Sequence, residues 1–257
     1  MPRYRLLLEY DGRGFVGWQR QANGLSVQQA IEEAGAHLNA GALPASAAAG
    51  RTDAGVHATG QVAQLDLDRD HPPERVRDAL NFYTRPLPLA VLEARLAPAG
   101  WHARFSAIAR GYEYVILNRR PPAALELGRV WHIPAPLDAA AMHRAAQVLV
   151  GRHDFTSFRA AECQAKSAVR TLDALAVARR GERVVITARA RSFLHHQVRN
   201  MVGTLVQVGR GRWGAAELAA ILAARDRARA GETAPAEGLT FTFVRYPGEE
   251  SGAEGPC

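Results

Sequence analysis

The spacing of apolar residues predicts alternating strands and helices over the first hundred positions. In the first predicted helix, apolar side chains recur every three or four positions, and Ser26 and Gln29 form a capping box at its start. The predicted elements are a strand at residues 4–10, a helix at 27–38, a small-residue segment at 45–49, a half-buried strand at 63–67, a helix from 72 to about 82 and a strand at 89–96. Their order, βαββαβ, is that of the split ferredoxin-like unit.

The rest of the chain nearly repeats that order. Asp138 is placed to cap a helix, and residues 179–182 form the turn of a hairpin. The predicted elements are strands at 112–117 and 129–133, a helix at 138–150, a hairpin of 171–178 with 183–191, a helix with Val198, Met201, Val202 and Leu205 on one face, a helix at 215–225 and a strand at 239–244. The order of elements, without a visible sequence repeat, indicates two related halves.

The predicted fold class is therefore α+β. Two ferredoxin-like halves, similar in architecture to RNA-recognition motifs, are expected to pack their antiparallel sheets around a central basic cleft. We place the first half, which carries Asp53, at residues 1–105 and the second half at 106–247. The tail at 248–257 has no apolar pattern and is expected to be disordered.

The composition is that of a globular protein. Of the 257 residues, 47% are hydrophobic and 22% are charged, which excludes a disordered, collagen-like or coiled-coil chain. No apolar run approaches the roughly 18 residues needed to cross a bilayer, so no membrane partner is expected. Two cysteines, Cys163 and Cys257, cannot build a disulfide framework, and a reducing cytoplasm is the expected location.

The charge balance points to a polyanionic partner. Lysine and arginine exceed aspartate and glutamate by 32 − 25 = 7, and Lys166 is the only lysine. Codon bias in a GC-rich genome explains arginine in place of lysine, but it does not explain the excess of positive charge. Because guanidinium groups bind phosphate oxygens and stack on bases, nucleic acid is the leading class of partner.

The segment GRTDAGVHATG, at residues 50–60, carries the first candidate site. Asp53 is its only carboxylate, Arg51 lies two positions earlier, and Gly50 and Gly55 allow a ligand to approach the backbone closely. A nearby guanidinium keeps a carboxylate ionised, as a nucleophile requires. The alternative is a solvated turn with a local pair between arginine and aspartate.

The segment RSFLHHQVRNMVG, at residues 191–203, supplies a candidate partner for that carboxylate. Arg199 lies beside the apolar face of a predicted helix, and a buried arginine needs an acidic partner, for which Asp53 is available. His195 and His196 are adjacent and are expected to point in different directions. Together with His57 they match no known ligand spacing, and we predict no metal.

Two further patterns mix aromatic and basic residues. Tyr112 and Tyr114 share one face of a predicted strand, where packing is the common role, although a tyrosine at the mouth of the strand could stack on a base. The segments WHARFSA (101–107) and DFTSFRAAECQAK (154–166) combine aromatic and basic side chains in a way typical of proteins that bind looped RNA. Aromatic side chains that fill a seam between domains are an equally good interpretation of each segment alone.

In combination, these motifs resemble the tRNA pseudouridine synthase A family in order and spacing. The resemblance runs from about residue 4 to 246, and GRTDAGVHA is specific to this family. The matching segments are EYDGRGFVGWQRQ, GRTDAGVHA, HARFSA, ARGYEY, DFTSFR, FLHHQVRNMVG and AEGL. The resemblance implies the pseudouridine synthase fold and an isomerase that converts uridine to pseudouridine at positions 38, 39 and 40 of the tRNA anticodon stem-loop. It further implies a homodimer that uses no metal or organic cofactor.

The resemblance also implies a role for individual residues. It assigns Asp53 as the nucleophile, which attacks C1′ of the ribose or assists glycal formation there, and Arg199 as the partner of its carboxylate. Tyr112 would stack on the target uracil and is one candidate for the base that removes the C5 proton, although a phenol with a pKa of about 10 is a reluctant base. Arg51 would assist base flipping. The implied RNA contacts are Arg51, His102, Arg104, Phe105, Arg120, Cys163, Gln164 and Lys166.

The sequence departs from the family at three positions. Gly111, Glu113 and Lys166 stand where the family often has arginine, which puts individual RNA contacts in doubt.

The competing interpretation is a non-catalytic ferredoxin-like RNA-binding module. The chain lacks the aromatic strand motif of RNA-recognition modules. In a surface that only binds RNA, the Asp53 carboxylate would have no role and would repel phosphates. A metal-dependent nuclease is disfavoured because the sequence contains no acidic cluster. The sequence favours an isomerase.

Overall fold

The structure is a computed structural model, and it describes residues 1–249. The predicted tail lies outside the described residues from position 250 onward. The strands are β1 (Arg3–Tyr10), β2 (Ala45–Ala48), β3 (His57–Asp66), β4 (Leu89–Leu96), β5 (Ala109–Leu117), β6 (Trp131–His132), β7 (Gly151–Asp154), β8 (Val169–Arg180), β9 (Arg183–Ala190) and β10 (Leu239–Arg245). The helices are α1 (Val27–Ala36), α2 (Pro73–Tyr83), α3 (Ala139–Ala146), α4 (Gln197–Gly209) and α5 (Ala215–Ala224).

The α+β class and the two ferredoxin-like units are confirmed by the strand order. In the first unit β4, β1, β3 and β2 lie side by side, and in the second unit β10, β5, β9 and β8 do so in the corresponding order. β7 extends the second unit at β8, and β6 pairs with β5. All pairings within the two four-strand units are antiparallel.

The two units share one continuous sheet, where the sequence had suggested two sheets packed around a cleft. β10 pairs in parallel with β3, with Thr240 opposite His57 and Phe241 opposite Ala58. The physical reason lies in the short length of β2, which covers β3 only from Ala63 to Asp66. The amino-terminal end of β3 is left free to pair, and β10 pairs with it.

Each unit has its own hydrophobic core, and each core includes side chains from the other half of the chain. Phe241 and Tyr246, from the end of the described chain, pack into the core formed by β1, β3, α1 and α2. Val56, which precedes β3, packs into the core of the second unit, with Met201 and Leu205 of α4. The two halves therefore interlock at the place where β3, β5 and β10 meet.

Most element boundaries fall close to the predicted ones. Ser26 accepts a hydrogen bond from the Gln29 N–H at 3.1 Å, and Asp138 caps α3 by accepting one from the Ala141 N–H at 2.8 Å. The strand predicted at 129–133 is only two residues long, and the helix predicted to reach 150 ends at Ala146 in a short 3₁₀ turn. None of the helices within residues 1–249 has the length and apolar character needed to cross a membrane.

Candidate active site

An open cavity of about 860 Å³ lies where the two units meet. Its wall includes Asp53 and its neighbours from the first half, together with Tyr112 of β5 and the residues that lead into α4 from the second. The positions that line it include Trp18, Arg51, Asp53, Arg104, Arg110, Tyr112, Cys163, Gln164, Phe193, His195, His196 and Arg199. Since loops at the junction of two packed units commonly carry function, this cavity is the candidate site.

The loop that carries Asp53 is held in place by the glycine-rich turn after β1. The Trp18 N–H donates to the Thr52 carbonyl at 3.0 Å, and Tyr10 and Thr52 share a hydroxyl hydrogen bond of 2.8 Å. Gly17 has a φ of 102°, and a Cβ on it would lie 2.8 Å from the Thr52 oxygen. A side chain at position 17 would therefore force the two segments apart and move Asp53.

Three basic side chains converge on the Asp53 carboxylate. Arg199 donates from Nη1 to Oδ2 at 3.1 Å, His196 Nε2 lies 3.3 Å from the same oxygen, and His195 Nε2 lies 3.4 Å from Oδ1. Burial acts to raise the pKa of Asp53, but the two histidines and Arg199 outweigh it and lower the pKa below its ordinary value. The carboxylate is consequently ionised and oriented at the wall of the cavity.

The convergence of His195 and His196 contradicts the prediction that adjacent histidines point apart. His196 adopts the left-handed conformation, with φ 60° and ψ 5°, and the two rings lie 4.0 Å apart between centroids. A non-glycine residue in this region costs about 1–3 kcal/mol, which tertiary contacts must offset. The sequence carried no signal for this conformation, because the contacts that impose it come from distant segments.

Arg199 is positioned by the segment that follows α5. Its Nε donates to the Ala234 carbonyl at 2.7 Å, and the Ala234 N–H donates back to the Arg199 carbonyl at 3.2 Å. Gly203 makes this approach possible, since a Cβ there would lie 1.8 Å from the Glu232 oxygen. The guanidinium is thus fixed on both its Nε and Nη1 sides, and the ion pair with Asp53 that the sequence suggested is present.

Tyr112 lines the same cavity. Its ring meets Phe193 and Phe241 edge to face, with centroid separations of 5.1 and 4.8 Å. Burial, followed by the negative charge of Asp53, raises the pKa of the Tyr112 phenol far above its ordinary value. The hydroxyl therefore remains protonated, and its aromatic face and O–H group are the features that it offers to a ligand.

The predicted RNA contacts divide into two groups. Arg51, Arg104, Cys163 and Gln164 line the cavity together with Asp53. His102, Phe105, Arg120 and Lys166 lie outside the cavity wall. Phe105 is 72% exposed, its ring centroid is 4.4 Å from that of His102, and the Arg104 guanidinium carbon lies 5.9 Å from it. Arg104, Phe105 and His102 form an exposed basic and aromatic cluster, whereas nothing in the described structure connects Arg120 with it.

Sequence reasoning missed three arginines in the cavity wall. Arg110 is buried and donates to the carbonyls of Ala49, at 2.9 Å, and of Arg104 and Arg191. Burial lowers the pKa of Arg110, and this effect outweighs the opposing influence of Tyr246 and Tyr112. Arg20 and Arg170 also line the cavity, each with one buried nitrogen that has no hydrogen-bond partner among the described residues. Such arginines could not be distinguished by spacing from the many exposed ones.

The ligand atoms of Asp53, His195 and His196 lie within 4.8 Å of one another, close enough to share a metal ion. The Arg199 guanidinium, however, is bonded to the same carboxylate and would repel a divalent cation. We therefore interpret the group as an ion-pair and proton-carrying cluster.

The comparisons with known proteins agree with the motifs. A family model described as tRNA pseudouridine synthase matches residues 7–106 and 145–247. The chain belongs to this family. Membership makes the protein an isomerase that converts uridine to pseudouridine. Asp53, His195, His196 and Arg199 lie inside the matched stretches, and Tyr112 lies between them.

Individual relatives match along almost their whole length. A protein named tRNA pseudouridine synthase A from Acidiphilium cryptum (strain JF-5) is 63% identical over 96% of this chain and 97% of its own length. Proteins of the same name from Rhodospirillum centenum and Paramagnetospirillum magneticum are 61% and 57% identical, over 96% and 100% of this chain and 100% and 99% of theirs. The chain therefore corresponds to the whole of these relatives and not to one part of them.

Proposed function

We propose that the protein acts on tRNA and isomerises uridine to pseudouridine at positions 38, 39 and 40 of the anticodon stem-loop, with Asp53 as the nucleophile. One observation carries the proposal: an ionised carboxylate, hydrogen-bonded to Arg199 at 3.1 Å, lines an open cavity together with Tyr112. The names of the relatives support tRNA as the substrate. A volume of about 860 Å³ falls within the roughly 300–1,000 Å³ typical of ligand pockets and has room for a flipped nucleotide.

The reaction begins with the extrusion of the target uridine from the stem-loop, because the enzyme cannot reach its C1′ inside the stack. Arg51, exposed at the rim of the cavity, is the group that we assign to this step. The extruded uracil would then stack on Tyr112, whose ring is braced by two phenylalanines.

Asp53 then attacks C1′, and the bond from C1′ to N1 breaks with its electrons on the uracil. The detached base turns so that C5 faces C1′, a new bond from C5 to C1′ forms, and the Asp53 carboxylate leaves. The C5 proton is lost and N1 gains one, so uridine and pseudouridine have the same composition. Arg199 keeps the carboxylate oriented and ionised before the attack and stabilises it again when it departs.

The charge of the cavity suits a polyanionic substrate. Arg20, Arg104, Arg110 and Arg170 line it in addition to Arg51 and Arg199. Together with Arg104, the exposed ring of Phe105 offers a second surface for phosphate and base contacts beside the cavity. We assign His102, Arg120, Cys163, Gln164 and Lys166 to RNA contacts on the resemblance alone. A homodimer that works in the cytoplasm without a metal or organic cofactor is part of the same proposal.

The deciding experiment measures tritium release from unmodified tRNA that carries [5-³H]uridine in its anticodon arm, with a chelator present. Wild type is compared with Asp53→Asn, and with Asp173→Asn as a matched control, because Asp173 is an exposed aspartate of β8 outside the cavity. We expect release from wild type and Asp173→Asn and none from Asp53→Asn. If wild type binds tRNA tightly and releases no tritium, the proposal is wrong and a non-catalytic RNA-binding module is favoured.

A further inference from the structure

The two oxygens of the Asp53 carboxylate have different surroundings. Oδ2 is shared by Arg199 at 3.1 Å and His196 at 3.3 Å, whereas Oδ1 has His195 as its basic neighbour at 3.4 Å. The His195 side chain is also the most exposed of the three, at 40%, and it lines the cavity. Because Oδ1 is the less encumbered oxygen, it is the one available to attack C1′, and His195 then lies next to the reacting atoms.

We propose that His195 is a further catalytic residue, which gives a proton to N1 of the departing uracil and takes the proton from C5 at the end of the reaction. The inference rests on the proposed function. Its particular basis is the convergence of both histidines on one carboxylate, which a left-handed backbone at His196 makes possible. An energetically unfavourable backbone conformation that orients side chains at a reactive carboxylate is typical of an active site.

His195 starts the reaction as the acid. The charged and titratable groups that face it are Asp53, His196, Arg199 and Glu162. The bond to Asp53 is the largest influence and raises the pKa of His195 above its ordinary 6.5, against the opposing effects of burial and Arg199. The resting site therefore pairs an ionised Asp53 with a His195 whose protonated form this carboxylate favours. Attack by Asp53 leaves electrons on the uracil, and the imidazolium Nε2–H is placed to donate its proton to N1.

The covalent step changes the basicity of His195. Once Asp53 is esterified to C1′ it carries no charge, and the influence that raised the pKa of His195 is gone. The imidazole is then neutral with a free lone pair on Nε2. When C5 bonds to C1′ and Asp53 departs as a carboxylate, the restored negative charge favours protonation of His195, which takes the C5 proton. One proton leaves the imidazole and one returns, so the enzyme regains its starting state.

The other groups at the site suit this role less well. Burial, with a contribution from Asp53, raises the pKa of Tyr112, so its phenolate is scarcely available as a base. Burial lowers the pKa of His196, and its Nε2 shares Oδ2 with the guanidinium of Arg199. The exposure of His195 also lets a proton taken from C5 exchange with water, which tritium release requires.

The test compares wild type with His195→Gln, which keeps a polar group beside Asp53 but cannot carry the proton. His196→Gln is the matched control, because it alters the adjacent ring on the same carboxylate. For each variant we would measure the single-turnover rate of conversion across pH, the dissociation constant for tRNA, and the isotope effect of [5-²H]uridine. Should His195→Gln not fold, His195→Gly is assayed with and without added imidazole.

We expect His195→Gln to lower the single-turnover rate by roughly 100-fold or more, the size typical for loss of a general acid or base, with tRNA affinity nearly unchanged. The rate of wild type should fall at alkaline pH as His195 loses its proton, and this fall should be absent in His195→Gln. The isotope effect should increase in His195→Gln, whereas His196→Gln should keep the alkaline fall. For His195→Gly, imidazole should restore activity.

Three results would overturn the inference: an alkaline fall that persists in His195→Gln, a defect that disappears at saturating tRNA, or no rescue of His195→Gly by imidazole. The first two results would mean, respectively, that His195 only orients Asp53 and that it only binds RNA. Failure of wild type to convert tRNA would instead refute the proposed function. The two failures are therefore distinguishable.

Discussion

Arg199 of α4 donates a hydrogen bond of 3.1 Å to Asp53 across 146 positions of the chain. The bond joins a loop of the first unit to a helix of the second, so the Asp53 carboxylate is held in this orientation only when both units are in place. Burial alone would raise the pKa of Asp53 and leave a smaller fraction of the carboxylate ionised. The pairing across the junction is therefore what keeps the buried Asp53 carboxylate ionised.

Replacement of Arg199 by glutamine should move the pH dependence of the reaction. Without the guanidinium, the effect of burial on Asp53 is less well opposed, its pKa rises, and the acidic limb of the rate profile shifts to higher pH. The rate at neutral pH should fall by roughly 100-fold or more, as on removal of one strong electrostatic contact in an active site. Arg229→Gln serves as the control, since Arg229 is half exposed and lies outside the cavity. An acidic limb that stays in place would contradict this account of Arg199.

The contact between His195 and Asp53 should stabilise the fold in a limited pH range. The pKa of His195 is raised in the folded protein. Its contribution to stability is therefore complete below the ordinary pKa of 6.5 and is lost as the pH rises through the pKa of the folded state. The pKa of Asp53 is lowered, so its contribution is lost as pH falls through the folded value. Denaturant midpoints of wild type and His195→Gln should differ more at about pH 5.5 than at about pH 9. Equal differences at both pH values would show that the stabilisation does not depend on the protonation of His195.

Gly111 should not tolerate a side chain while Phe243 faces it across the sheet. The two residues are directly opposed on β5 and β10, and a Cβ at position 111 would lie 2.0 Å from Phe243 Cε1. Gly111→Ala should therefore lower the free energy of unfolding by about 1–3 kcal/mol through overpacking. In the Phe243→Ala background the same substitution should cost much less. A double-mutant cycle with chemical denaturation measures the coupling, and additive effects would exclude the predicted clash.

Arg104 should contribute one phosphate contact to tRNA binding. Its guanidinium is exposed at the cavity beside Phe105 and makes no ion pair within residues 1–249. Arg104→Ala should reduce the slope of log K against log salt by about one unit, since one fewer counterion is released. Arg144→Ala, which alters an exposed residue of α3 outside the cavity, should leave the slope unchanged. An unchanged slope in Arg104→Ala would remove Arg104 from the phosphate contacts.

Local patterns were enough to predict most of the secondary structure. Periodicity placed β4 at the observed residues, and the Ser26 and Asp138 caps were found because their hydrogen bonds are made within one helical turn. The pairing of β10 with β3 was not predicted, since it depends on how little of β3 the short β2 covers. Such a feature depends on the relative lengths of strands that are far apart in the sequence.

The candidate site shows the same division. The contact of Asp53 with Arg199 was suggested by the need of a buried arginine for an acidic partner. The inward turn of His196 and the burial of Arg110 were missed, because each is imposed by neighbours that come together only in the folded chain. In the same way, the sequence around Gly111 gave no indication that Phe243 lies opposite it on the neighbouring strand.

The pairing of β10 has a consequence for the order in which the protein is made. Phe241 and Tyr246 complete the core of the first unit, yet they leave the ribosome after almost everything else in the described chain. Until β10 emerges, the nascent first unit exposes apolar surface and a free strand end, a state prone to wrong association and a natural substrate for chaperones. The emergence of β10, rather than of the first hundred residues, sets the earliest moment at which the cavity beside Asp53 can form.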